Sequence, residues 1–311
     1  MQAQALCRSR WDNLSRPAPA WDNLSVPHQA NSSPSAQEQD SWEFVDIHSH
    51  VLPGVDDGAA NLDDSVAMME AAYRHGTRVL VASPHASPHY SYDLERTEQL
   101  LDTLRRRAPS GLRLIRGCDF HLTFTNVENA LRSPSDFAID GRCWLLMELS
   151  ELTVFANTGS LWRRLEDAGL RIILTHPERN PLLRQRFDLV QQWVAEGRMM
   201  QITAGSLFGA FGRAARLFAI RMLDAGLVHF VASDAHDLRH RPPRLDLACR
   251  WLAKRYGADY ARRLVTVHPR CAVEGLPLDL SDFHPPQPSP PWWRRLLRRG
   301  GRGGQNISAR A

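Results

Sequence analysis

Between residues 44 and 232 the chain alternates short apolar runs with longer stretches in which apolar residues recur three and four positions apart. The runs occupy residues 44–47, 79–82, 112–115, 143–147, 172–174, 199–202 and 227–232. Their length suits strands, and the spacing between them predicts helices over 62–75, 94–106, 161–168, 189–196 and 214–225. Gly76, Gly169, Gly197 and Gly226 follow four of these stretches, where a glycine suits a helix C-cap. Strand and helix in strict alternation predict an α/β fold with parallel pairing. Seven runs with helical connections predict a distorted seven-stranded (β/α) barrel. Two more helices are expected at 245–256 and 260–265, after which the Pro-rich stretch from Leu276 should leave the domain surface.

The ends have a different texture. Residues 1–42 are rich in Ser, Pro, Gln, Asn and Ala without either periodicity, so a disordered arm is expected, followed by a folded body at 43–280 and a Pro/Arg-rich tail at 281–311. Trp-Asp-Asn-Leu-Ser occurs at residues 11–15 and again at 21–25. Two copies fall short of a repeat architecture, and the preferred reading is a duplication without function or a start codon placed too early; a docking motif is the alternative.

With 311 residues, 43% of them hydrophobic, the chain can build a large core. The formal charge of +4 raises the question of a polyanionic partner. Its location answers most of it: after Asp282 come six arginines and no acid, more than the whole excess, so the body is not basic and nucleic acid is not expected. The tail segment Trp292-Trp293-Arg294-Arg295-Leu296-Leu297-Arg298-Arg299 could touch an anionic membrane surface or remain solvated. No run is long enough for a membrane helix and no secretory h-region opens the chain. Five scattered cysteines make no disulfide framework. A cytoplasmic protein is expected, at most peripheral at the inner face of the membrane.

The chemistry gathers where the runs end. His48 and His50 follow the first run, His85 the second, Asp119 the third, Glu148 the fourth, His176 the fifth, and Asp234 with His236 the seventh; Asp57 lies just beyond the first pair. Barrel enzymes carry their reactive groups at this end of their strands. In an extended segment residues two apart share a face, so His48 with His50, and Asp234 with His236, can each grip one ion. Five imidazoles and four carboxylates without thiolate suit Mn²⁺, Fe²⁺ or Zn²⁺, and nine ligands exceed what one ion uses, so two or three divalent ions are expected. Arg179 and Arg241 fall in the loops that carry His176 and His236, where planar guanidiniums fit a bound phosphate.

Other readings carry less. His28, His75, His121, His229 and His284 are expected to be structural or solvated, and His89, His240 and His268 stay open, His240 being the one worth testing. Cys249 and Arg255 have the Cys-x5-Arg spacing of thiol phosphatases, but the segment between them is helical and lacks glycine, so its amides cannot cradle a phosphate. Neither a nucleophile elbow nor a P-loop is present.

The stretch Asp46-Ile47-His48-Ser49-His50-Val51-Leu52-Pro53-Gly54-Val55-Asp56-Asp57-Gly58, with Ser83-Pro84-His85, Met147-Glu148-Leu149, Thr175-His176-Pro177-Glu178-Arg179 and Ala232-Ser233-Asp234-Ala235-His236, closely resembles a known family. It is that of the bacterial protein-tyrosine phosphatases of the polymerase and histidinol phosphatase (PHP) superfamily, the CpsB/CapC type found with capsule and exopolysaccharide genes. The segment from Gln201 to Ser206 and Arg241-Pro242-Pro243 also look like family elements. The resemblance implies a PHP-type barrel, a trinuclear site usually served by manganese, and hydrolysis of phosphotyrosine by a metal-activated hydroxide. The implied substrate is the tail of a bacterial tyrosine autokinase. It places metal ligands at His48, His50, Asp57, His85, Asp119, Glu148, His176, Asp234 and His236, and phosphate contacts at Arg179 and Arg241. Asp119 departs from the family, where Glu is frequent and is expected to bridge two ions. Leaving-group protonation stays open among a water on the metal, Asp237 and His240. The rival expectations are another PHP-type phosphoesterase, acting on histidinol phosphate or a small nucleotide, and a non-catalytic scaffold.

Overall fold

The computed structural model describes residues 42–285, apart from Thr153 and 155–157. The repeated pentapeptide and the arginine-rich end of the tail lie outside the described residues.

Every apolar run becomes a strand, and all pairings among the described strands are parallel. The strands are β1 (Phe44–Ser49), β2 (Thr77–Ala82), β3 (His85–Ala86), β4 (Arg113–Arg116), β5 (Asp119–His121), β6 (Trp144–Glu148), β7 (Arg171–Thr175), β8 (Met199–Thr203) and β9 (Phe230–Ala232). One sheet has the order β1-β2-β4 and the other β3-β5-β6-β7-β8-β9. The fold is therefore α/β with parallel sheets.

Two of the predicted runs are each followed, after a local break, by a further short strand. Pro84 separates β2 from β3, and its ring nitrogen has no hydrogen to give to a ladder. Gly117 opens the step from β4 to β5. A Cβ there would lie 2.5 Å from Val81 Cγ1, so only glycine permits the close approach. Backbone bonds continue across both gaps, from Gly117 N to Ala82 O (2.8 Å) and from Asp119 N to Pro84 O (3.0 Å). At the other side the chain after β9 returns to β1. Ser49 bridges Ala235, His50 N donates to Ala235 O at 2.8 Å, and Asp234 N donates to His48 O at 2.9 Å.

The helices follow the expected pattern with small shifts: Leu62–Arg74, Leu94–Arg105, Thr158–Asp167, Phe187–Ala195, Gly212–Asp224 and Leu245–Tyr256. The four cap glycines all take positive φ, between 70° and 94°. Several helical segments escape the apolar pattern, among them Phe124–Arg132, Pro181–Gln185 and His268–Glu274. These three start on local chemistry instead. Thr123 caps the first through its side chain, Asn180 the second, and proline occupies an early position in the second and third.

Alternate strand residues divide between separate cores, so each strand is buried on both sides. Val45, Ile47, Val81, Ile115, Trp144, Leu146, Ile173, Phe230 and Ala232 share one cluster, together with Ala272 and Val273 of the His268–Glu274 helix. Leu145, Met147, Ile172, Leu174, Met200, Ile202 and Val231 face a second cluster against the outer helices. Among the described residues no helix is long and apolar enough to cross a membrane.

Phe283, which the sequence placed in the tail, is buried in this second cluster. Its ring stacks on Tyr260 (centroids 5.0 Å apart, planes at 7°) and meets His268 edge-on at 4.6 Å. Phe283→Ala is expected to lower the free energy of unfolding by about 3–5 kcal/mol in urea denaturation. A loss below about 1 kcal/mol would mean that the segment only drapes over the body.

Candidate metal centre

Every nitrogen and carboxylate singled out at a strand end arrives at one place. His48, His50, Asp119, His176, Asp234 and His236 are buried; His85 and Glu148 are partly exposed, and Asp57 opens the cluster to solvent. Three groups of side chains offer donor atoms that lie within 4.8 Å of one another: His50 with Asp57, His85 and His236; His48 with His50 and Asp119; and His85 with Asp119 and Glu148. Each pair of groups shares one member, His50, His85 or Asp119. Asp119 stands at a junction despite its short side chain, with Oδ2 3.0 Å from His85 Nδ1 and 3.7 Å from His48 Nε2. Asp234 Oδ1 lies 3.5 Å from His48 Nε2 and 3.4 Å from His50 Nε2, and His176 Nε2 lies 3.9 Å from Glu148 Oε1.

His48 and His50 share a face as extended residues two apart, with their Nε2 atoms 3.2 Å from each other. For Asp234 and His236 the outcome is the same but the reason differs. β9 ends at Ala232, and Asp234 takes a left-handed φ of 52° that turns both side chains inward. His176 is likewise left-handed, at φ 35°. Non-glycine residues take this conformation at a cost and concentrate where function demands it.

Three histidines have one ring nitrogen committed outward and the other turned in. His48 Nδ1 pairs with Gln201 Oε1 (2.9 Å), His50 Nδ1 with Asp56 Oδ2 (2.8 Å), and His236 Nδ1 with the carbonyl of Asp234 (3.0 Å). With the proton fixed on Nδ1, Nε2 presents a lone pair to the centre, as in metal-ligating histidines. Asp56, not only its neighbour Asp57, is therefore part of the site. It also accepts from the backbone N–H of Gly58 (3.0 Å) and His85 (3.1 Å). A Cβ on Gly58 would lie 2.1 Å from His50 O, so glycine lets this loop fold against His50.

The donor set fits divalent cations. Donor atoms about 2.0–2.2 Å from a common tetrahedral ion lie roughly 3.3–3.5 Å from each other. The separations are 3.2 Å for His48 and His50, 3.3 Å for His85 and Asp57, and 3.4 Å both for His236 and Asp57 and for His50 and Asp234. Of the buried atoms of the cluster, His85 Nδ1 and Asp119 Oδ2 face each other at 3.0 Å without the geometry of a hydrogen bond, and His236 Nε2 has no hydrogen-bond partner. The electrostatics divide the cluster: burial with Arg241 nearby brings His236 down to about 4, and burial with Arg179 nearby holds His176 well below the ordinary imidazole value. Burial opposes charge on His50, yet Asp56 and its neighbours push it up to about 9. Burial would raise Glu148, but His121, His85 and Arg179 hold it down at about 2.

Arg179 and Arg241 converge on one oxygen. Arg179 Nη1 and Arg241 Nη2 both donate to Asp234 Oδ2, the latter at 2.5 Å. The loop holding Arg179 is anchored by Glu178, whose Oε1 accepts from Thr203 N (2.9 Å) and Ser206 Oγ (2.7 Å). Burial raises the Glu178 carboxyl to about 7 against these bonds. The backbone of Arg241 is tied to the site where His236 N donates to Arg241 O at 2.9 Å.

The site differs from the sequence reading at a few positions. His121, set aside in the sequence, lies with Nδ1 3.5 Å from Glu148 Oε2, whereas His240 is exposed and faces Asp237. Asp56 and Glu178 carried no strand-end signal. His229 is a core histidine as expected, its Nδ1 accepting from Met200 N at 3.1 Å. Cys249 sits inside the Leu245–Tyr256 helix, where burial pushes its thiol up to about 12, far from a reactive thiolate.

Known proteins resemble this chain over the same region. The family model for capsular polysaccharide synthesis, CpsB/CapC, matches residues 44–274. The tyrosine-protein phosphatase YwqE of Bacillus subtilis (strain 168) is 32% identical over 220 residues, 70% of this chain and 86% of that protein. The tyrosine-protein phosphatase CpsB of Streptococcus pneumoniae is 28% identical over 236 residues, 73% of this chain and 97% of its own. One solved structure, from work on B. subtilis YwqE and S. pneumoniae CpsB described as unique metal-dependent tyrosine phosphatases, superposes with a TM-score of 0.69 at 30% identity. It covers 79% of this chain and 100% of the solved one.

Asp56→Asn is expected to weaken uptake of a divalent ion about 10- to 100-fold, measured by competition with a chromophoric chelator. Unchanged uptake would show that the Asp56–His50 pair does not orient a ligand.

Proposed function

Because the chain belongs to the CpsB/CapC family of capsular polysaccharide synthesis, we propose that it is a metal-dependent protein-tyrosine phosphatase. The observation that carries the reading is Asp234, one oxygen of which faces the imidazoles while the other receives two arginines. A cation cluster beside paired guanidiniums is an arrangement suited to a phosphate monoester. The names of the relatives specify tyrosine phosphate as the ester.

In this reading His48, His50, Asp57, His85, Asp119, Glu148, His176, Asp234 and His236 hold two or three ions, manganese first, with iron(II) and zinc as alternatives. Such ions, when bound, lower the pKa of water and stabilise charge on phosphoryl oxygens. Asp56 and Gln201 fix the tautomers of His50 and His48. Arg179 and Arg241 bind and orient the phosphoryl oxygens, and their burial strengthens each hydrogen bond. The nine strands count as seven when the interrupted pairs β2–β3 and β4–β5 are joined, and the bridge from Ser49 to Ala235 supports their closure as a distorted seven-stranded barrel.

The substrate is a phosphotyrosine protein, and a tyrosine autokinase that regulates polysaccharide export is the proposed partner in the cytoplasm. Phe124, Leu152 and Leu238 favour a polypeptide over a small metabolite. They are 79%, 81% and 51% exposed and stand on the segments that follow β5, β6 and β9, at the end of the sheet where the centre lies. The arms at 1–42 and 281–311 are assigned outside the catalytic body, with Phe283 as the anchor of the second. The basic tail is given a weak contact with the membrane surface.

Purified chain is expected to carry divalent metal and to hydrolyse a phosphotyrosine peptide, to lose that activity in a chelator and to regain it with Mn²⁺. Preference for histidinol phosphate over the peptide would overturn the substrate. Arg179→Ala and Arg241→Ala are each expected to reduce kcat/KM about 10- to 100-fold, the worth of one charged hydrogen bond, with metal content retained. Loss of metal in either variant would count against a role on the substrate.

A further inference from the structure

Phe211 is the N-cap residue of the Gly212–Asp224 helix, in the segment after β8, and its ring is half-buried. Two guanidinium groups lie over that ring. The Cζ atoms are 4.4 Å from the ring centroid for Arg179 and 5.6 Å for Arg241. Both groups also donate to Asp234 Oδ2, so two like charges share a single oxygen and repel each other. Hydrogen bonds alone do not fix the second arginine, because its buried Nε has no partner. The negative face of an aromatic ring attracts both cations and limits the planes they adopt. Phe211 reaches the pair from β8, whereas the arginines come from the segments after β7 and β9. It is thus a third, independent support for their geometry.

We propose that Phe211 is a positioning residue that holds Arg179 and Arg241 as one phosphate clamp and thereby sets affinity for the phosphoryl group. The inference rests on the phosphatase reading above. Phe211 acts through the arginines and makes no contact with the reacting atoms. The property that matters is its π-face, so a side chain of similar bulk without one should fill the space and fail to hold the pair.

The test is calorimetric titration of the manganese-loaded full chain with inorganic phosphate, comparing Phe211→Leu, Phe211→Trp, Arg179→Ala and Arg241→Ala, with metal content measured for each. Phe211→Leu is expected to weaken phosphate binding about tenfold, equal to ~1.4 kcal/mol and within the range of desolvated cation–π contacts. Phe211→Trp should restore it, and both variants should keep their metal. In hydrolysis of a phosphotyrosine peptide, Phe211→Leu should raise KM by a similar factor with a smaller change in kcat. Unchanged phosphate affinity in Phe211→Leu, while the arginine variants lose it, would overturn the inference and leave the phosphatase reading standing. Equal weakening by Leu and Trp, or loss of metal in the Leu variant, would assign Phe211 to packing and also overturn it. Full phosphate affinity in both arginine variants would remove the clamp itself, and the inference with it.

Discussion

Asp234 divides its two carboxylate oxygens, Oδ1 toward the imidazoles of His48 and His50 and Oδ2 toward the guanidiniums of Arg179 and Arg241. The rest of the catalytic face depends on that division. A buried carboxylate with four such partners stays ionised against its desolvation, and its charge ties the donor cluster to the arginine pair. Were either oxygen turned by a fraction of a turn, one of the two groups would lose its shared anion.

The backbone is arranged to impose this orientation. β1 and the chain after β9 are joined by hydrogen bonds on either side of Asp234, which hold it at positive φ although it is not glycine. Asp46 contributes from below, its Oδ1 accepting from Ser233 N at 3.0 Å. His176 is held in the same left-handed region at the end of β7. Such conformations cost on the order of 1–3 kcal/mol each and persist where the surrounding parallel strands, buried on both faces, leave little freedom to relax. The buried strands thus supply the rigidity and the strand ends carry the charge.

Much of this was legible in the sequence, because an apolar run followed at once by His, Asp or Glu marks both a strand and its functional end. Eight of the nine donors come together for that reason, and Asp57 with both arginines joins them from the loops that follow β1, β7 and β9. The remainder acts through partners that periodicity does not reveal. Asp56 sits beside Asp57 in a loop, and only the fold shows that Asp56 takes the outward Nδ1 of His50 while Asp57 meets the inward Nε2 atoms of His85 and His236. Glu178 is ordinary by composition, and its buried bonds to Thr203 and Ser206 depend on the pairing of β7 with β8. His121 was hidden because it ends β5, a three-residue strand beyond the third run and too short to read as a strand. Phe211 had the opposite difficulty, since an aromatic at a helix start ordinarily signals packing. The Phe124–Arg132 helix went unread because its first apolar residue faces solvent.

The central claim is that one carboxylate links a polynuclear metal centre to an arginine clamp for phosphate. Anomalous diffraction at the manganese edge, from crystals of the manganese-loaded chain soaked in phosphate, tests it most directly. The account predicts two or three manganese positions among the nine donors, one of them beside Asp234 Oδ1, with phosphate between the ions and the guanidiniums of Arg179 and Arg241. Manganese absent from the donor cluster, or phosphate bound away from the arginines, would contradict it.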